Sequence, residues 1–131
     1  MARWIKHDSP STQVIGVSSA TADAMHASWK SGTVVERESA NTIADGIAVR
    51  TPVPEALTDM MGIVDDVLLV SEDALKTAMK LVFEKAGLVT EPAGIAGIAA
   101  VLEHQSLRGK KLATVLCGSN LTAEQVEMWL R

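Results

Sequence analysis

Val67-Leu68-Leu69-Val70-Ser71-Glu72-Asp73-Ala74-Leu75 is the stretch that decides the fold. Four apolar residues without alternation read as a strand buried on both faces. Ser71 is a good N-cap, and Glu72 and Asp73 put negative charge at the positive end of the helix that follows. That helix is predicted from Glu72 to Ala86. Leu75, Ala78, Met79, Val82 and Phe83 recur at helical spacing and make one apolar face, and Gly87 supplies the stop.

Working outward, Gln13–Val17 and Leu112–Cys117 are further apolar runs that read as buried strands, with helical patterns between them. The alternation predicts an α/β fold, a parallel sheet of about three to four strands flanked by helices. Asp23 to Lys30 and Glu55 to Met61 read as helices. Another is expected to start at Pro92, with Ile95, Ile98, Ala99 and Leu102 inward; Gly94, Ala96, Gly97 and Ala100 leave its backbone open to close approach. The last starts near Thr122, where Thr122 and Gln125 fit a capping box. Ala2 to Lys6 read like the end of a helix, so both termini look cut.

The 131 residues suit one domain, 1–131, with a real core. Aromatics amount to 3% of the chain, so Ala, Val, Ile and Leu must build that core. With a net charge of -4, neither basic nor stacking residues cluster, which argues against nucleic acid and anionic membranes as partners. One cysteine excludes an internal disulfide and fits a reducing compartment. No apolar run approaches a membrane span and no signal peptide is visible, so a cytoplasmic location is expected.

Ligands in parallel α/β sheets bind beyond the carboxyl ends of strands. Cys117, followed by Gly118-Ser119-Asn120, stands at such a position, although a lone cysteine ending a buried strand is usually just a small core residue. Glu91 reads as an acid at the start of the helix beginning at Pro92. Asp45-Gly46 reads as a turn, and so does Asp65-Asp66. His7, His26 and His104 share no metal-ligand spacing and read as surface histidines.

The order and spacing of Val14–Val17, Thr42–Val49, Val64–Glu72, Glu91-Pro92-Ala93-Gly94 and Cys117–Asn120 resemble the C-terminal part of pyridoxal-phosphate-dependent serine/threonine dehydratases, of the tryptophan synthase β-like fold type II. The resemblance implies part of that fold's large domain, pyridoxal phosphate as cofactor and a lyase that eliminates water from a hydroxy amino acid. Cys117 would meet the pyridine nitrogen and Glu91 would line the cavity. The backbone of Gly46, Ile47 and Ala48 would pass the cofactor ring, and Gly118 would complete the turn. A thiol at the ring nitrogen, in place of a carboxylate, would suit β-elimination better than transamination. The divalent-cation site of some relatives would fall at Ser18 and Ala24, so no metal is expected. A threonine synthase-like or racemase relative is the alternative reading of the same resemblance.

The family's Ser-x-Lys-x-Arg motif, with the lysine that anchors the cofactor, is not among these residues, nor is the glycine-rich phosphate loop. Lys6, Lys30, Lys76, Lys80, Lys85, Lys110 and Lys111 lie in other contexts. No catalytic residue is therefore assigned, and the isolated chain is expected to be inactive. Two readings follow. In one, the chain is the C-terminal portion of a dehydratase-like lyase that acts with a complementary N-terminal part. In the other, it is a non-catalytic interaction or dimerisation module. Either way, open strand edges are expected to make it self-associate.

Overall fold

The structure is a computed structural model that describes residues 1–131. Two parallel strands, β1 (Ile15–Ser19) and β2 (Asp66–Val70), pair with Ile15 opposite Asp66 and Ser19 opposite Val70. The helices are α1 (Ala2–Asp8), α2 (Ala24–Ser31), α3 (Pro54–Met60), α4 (Glu72–Ala86), α5 (Ala96–Glu103) and α6 (Ala123–Leu130). No helix is long and apolar enough to cross a membrane.

Local signals explain where these helices begin and end. The Ser71 hydroxyl accepts the Ala74 N–H at 3.1 Å, and Gly87 closes α4 in the left-handed region at φ 67°. Thr122 and Gln125 make the reciprocal capping box of α6, with the Thr122 N–H donating to Gln125 Oε1 at 2.9 Å. Leu75, Ala78 and Met79 of α4 pack against Ile95, Ala96, Ala99 and Ala100, with Val70, Ala44 and Leu130 closing the same core. Small residues on α5 let α4 lie close. Such packing supplies the dispersion contacts that scarce aromatics do not.

The α/β parallel arrangement is as expected, but the sheet has two strands, not three or four. Leu112–Cys117 is extended but is not a strand, and residues 108–120 are all exposed. A parallel strand needs a neighbour with matching donors and acceptors. β1 and β2 bond to each other, and no third segment runs alongside this stretch. The backbone of residues 111–117 makes no hydrogen bond at all. Its one support is α5 and the turn before it: a Cβ on Gly94 or Gly97 would overlap Cys117 or Thr114.

Smaller differences have local causes. β1 starts two residues later than the apolar pattern suggests, because Val14 is fixed at the strand mouth by Asp65, whose carboxylate accepts the Val14 N–H at 2.6 Å and an ammonium hydrogen bond from Lys6 at 2.8 Å. Asp65 is thus a brace, not a solvated turn. The helix at Pro92 opens with a 3-10 turn, Ala93–Ile95, before α5 proper. His26 and His104 are half-buried and bonded, not surface residues.

Unpaired backbone beside exposed Leu112, Val115 and Leu116, which keep 45%, 59% and 36% of their surface, is a template for strand addition. The isolated chain is expected to self-associate, its weight-average mass in sedimentation velocity rising with concentration. A monomer at every concentration would contradict this.

Candidate cofactor site

The site is built from loops, and three carboxylates and backbone amides hold those loops. Glu72, the first residue of α4, accepts hydrogen bonds from Ser19 Oγ at 2.9 Å, Thr21 Oγ1 at 3.0 Å, Thr42 Oγ1 at 2.6 Å and the Ile43 N–H at 2.8 Å. It thereby joins the end of β1, the end of β2 and the loop at residues 42–43. That loop leads directly into a 3-10 turn, Asp45–Ile47, where the Asp45 carboxylate accepts the Gly46 N–H at 2.7 Å. Asp45-Gly46 is a turn, as its sequence suggests.

The turn rests on the start of the small-residue helix. A Cβ on Gly46 would stand 3.0 Å from the Ala93 methyl, and Gly94 next to it lies under the carbonyl of Cys117. Glu91 then locks the far side. Its N–H donates to the Gly118 carbonyl at 2.9 Å, and its carboxylate accepts the Asn120 N–H at 2.8 Å. Gly118 has φ 72°, and a Cβ there would meet Glu91 Oε2 at 2.6 Å, so this position needs glycine twice over.

The structure therefore gathers Gly46, Glu91, Cys117 and Gly118 around Ala93-Gly94. Ile47 and Ala48 follow in the same turn and are half-buried. Cys117 is exposed, where a buried strand end was expected, because the ribbon that carries it has no sheet around it. Glu91 braces the turn at Gly118–Asn120, and it also borders a hollow of about 100 Å³ with Asp45, Asn120 and Trp129. A second hollow of about 230 Å³ lies beside Thr90, Cys117 and Gly118. Both are smaller than the ~300–1,000 Å³ of a complete small-molecule pocket. Glu91 lines the first hollow, Cys117 and Gly118 line the second, and Gly46, Ile47 and Ala48 line neither.

Sequence reasoning missed Glu72 as a junction, reading it only as a helix-dipole acid. Its partners lie 29 to 53 residues away, out of reach of any local pattern. It also missed Thr90, whose Oγ1 is buried without a hydrogen-bond partner next to Cys117. An unpaired buried hydroxyl is costly and rare.

A heteroaromatic ring suits this half-site. A thiol, a glycine turn without side-chain bulk and an unpartnered hydroxyl stand at one hollow, and a ring nitrogen needs one such polar contact and flat walls. A phosphate does not suit it: no lysine, arginine or histidine lines either hollow. The residues present fit the ring of pyridoxal phosphate, and its phosphate and aldehyde need groups from elsewhere.

Residues 1–118 match the family model described as pyridoxal-phosphate dependent enzyme. The chain belongs to that family. It is 35% identical over 123 residues to the L-threonine ammonia-lyase of Thermotoga maritima, covering 94% of this chain and 31% of the relative. It is 36% identical over 121 residues to the phenylserine dehydratase of Ralstonia pickettii, covering 91% and 37%. The crystal structure of the T.th. threonine deaminase superposes with a TM-score of 0.87 at 35% identity, over 92% of this chain and 44% of that one. The chain spans about a third of the length of the curated relatives it matches.

Two outcomes test the site's construction. Gly118→Ala should lower stability by about 1–2 kcal/mol from left-handed strain alone, read as an earlier urea midpoint; an unchanged midpoint would contradict the turn that Glu91 holds. For Glu72, burial pushes the pKa up, but hydrogen bonds from Ile43, Thr42, Ser19 and Thr21 outweigh it, and the group titrates below the ordinary 4.5. The folded chain then binds this proton less tightly than the unfolded chain. Its contribution is complete above about pH 4.5 and is lost as pH falls through the folded value. Glu72→Gln should cost about 1–3 kcal/mol at neutral pH and flatten the acid side of the stability curve. A mutant curve parallel to wild type would contradict the role.

Proposed function

We propose that this chain is the C-terminal, ring-facing portion of a pyridoxal-phosphate-dependent ammonia-lyase that removes water from a hydroxy amino acid, threonine or serine, giving a 2-oxo acid and ammonia. The observation that carries the reading is the packing of Gly46 on Ala93 and of Gly94 under Cys117, with Cys117, Gly118 and the unpartnered Thr90 hydroxyl at one hollow and Glu91 bracing the turn after Cys117. The relatives' names supply the reaction class: an L-threonine ammonia-lyase, a phenylserine dehydratase and a threonine deaminase all act on amino acids, as their names state.

Pyridoxal phosphate, when bound, supplies the electron withdrawal that loosens a bond at the substrate's α-carbon. This chain's residues do the rest of what their positions allow. With the cofactor bound, the Cys117 thiol would offer the ring nitrogen a weak hydrogen-bonding partner without a carboxylate's charge, a setting that would suit β-elimination better than transamination. The turn of Gly46, Ile47 and Ala48 presents backbone to the ring and substrate. Glu91 moves no proton in this scheme; it is spent on Asn120 and the turn.

Anchoring of the cofactor and grip on its phosphate come from a complementary N-terminal part, and the assembled enzyme is a homo-oligomer in the cytoplasm. A single thiol and a net charge of -4 fit that setting.

Titrating the isolated chain with pyridoxal phosphate and borohydride should trap no specific lysine and give no deamination of threonine or serine. In a complex with the N-terminal part, Cys117→Ala should lower deamination and shift the absorbance band of the bound cofactor. Unchanged absorbance and activity there would remove Cys117 from its role.

A further inference from the structure

The two edges of the sheet are treated differently by the rest of the chain. Backbone groups of a strand point alternately to its two neighbours. The Val14 carbonyl accepts from the Asp65 N–H at 2.9 Å, and the Ala20 N–H donates to the Val70 carbonyl at 2.8 Å. Gly16 and Ser18 therefore turn their backbone groups toward β2, and Ile15 and Val17 turn theirs away. Within β2 the Val70 carbonyl faces β1, so Leu68 and Asp66 do too, and Val67 and Leu69 face outward.

Side chains take those outward groups on β2. His26, from α2, donates its Nδ1–H to the Val67 carbonyl at 2.7 Å. His104, directly after α5, donates its Nε2–H to the Leu69 carbonyl at 2.7 Å. A carbonyl only accepts, so each of these ring nitrogens carries the proton. The Val67 N–H donates to the Asp66 carboxylate at 2.8 Å. Three outward groups of one short strand are thus satisfied without a further segment of backbone. No such side chain reaches Ile15 or Val17, nor any backbone group of residues 111–117.

We propose that His26, His104 and Asp66 close the outer edge of β2, so that β2 is the terminal strand of the sheet and strand addition is confined to β1 and the Leu112–Cys117 ribbon. The incoming partner is an extended, apolar segment of the complementary N-terminal part; this identity rests on the function proposed above, whereas closure of β2 does not. The histidines act by occupying acceptors that an added strand would need. A strand added to an edge pairs with the N–H and C=O groups left free there.

The test is hydrogen exchange read by mass spectrometry, with sedimentation velocity, on the full chain. Self-association of the wild type should add protection at residues 15–19 and 111–117 and none at 66–70. His26→Ala with His104→Ala should associate at roughly ten-fold lower concentration, the worth of about one freed hydrogen bond, with new protection at 66–70. His26→Gln with His104→Gln, which keeps an amide donor, should fall back toward wild type. Protection of 66–70 in the associated wild type would overturn the proposal, and this arm stands even if the alanine pair does not fold. Unchanged association of a folded alanine pair would overturn it as well. Failure of an N-terminal polypeptide to bind would count against the proposed function and leave the closed edge intact.

Discussion

One carboxylate organises the loops that build the candidate site. Glu72 sits at the N-terminus of α4, where the helix dipole already favours negative charge, and gathers three hydroxyls and one amide from two other segments. Hydrogen bonds to a charged acceptor are worth roughly twice those between neutral groups. Remove the charge and the loop at Thr42–Ile43 loses its anchor. The turn of Gly46, Ile47 and Ala48, with no regular structure of its own before or behind it, then loses its place on Ala93.

From that anchor the site is a stack of small residues. Gly46 lies on Ala93, Gly94 lies under Cys117, and Gly97 lies under Thr114. Each contact is close because a side chain is absent. The arrangement packs backbone against backbone and small side chains at three successive levels. Glu91 stabilises the last layer by accepting the Asn120 N–H.

How much of this can be read from the sequence depends on range. α4 is legible from end to end, because its cap, its apolar period and its Gly87 stop are all local. The capping box of α6 is legible for the same reason. Leu112–Cys117 misleads because an apolar run announces a strand only if a neighbour exists, and pairing is a property of the sheet. Asp65, His26 and His104 look like surface groups in the sequence, since their partners at Val14, Val67 and Leu69 are 35 to 51 residues away. The convergence of Gly46, Glu91 and Cys117 is legible only through resemblance to a family; nothing in their spacing predicts that they meet on Gly94.

The central claim, as proposed above, is that this chain holds the ring side of a cofactor site and that a complementary N-terminal part completes it. The direct measurement mixes the purified chain and pyridoxal phosphate with the segment of Thermotoga maritima L-threonine ammonia-lyase that precedes its aligned 123 residues, and follows 2-oxo acid release from threonine. The account predicts activity in the mixture and none from either polypeptide alone. A stable complex that binds the cofactor yet releases no 2-oxo acid, or full activity from this chain by itself, would contradict it.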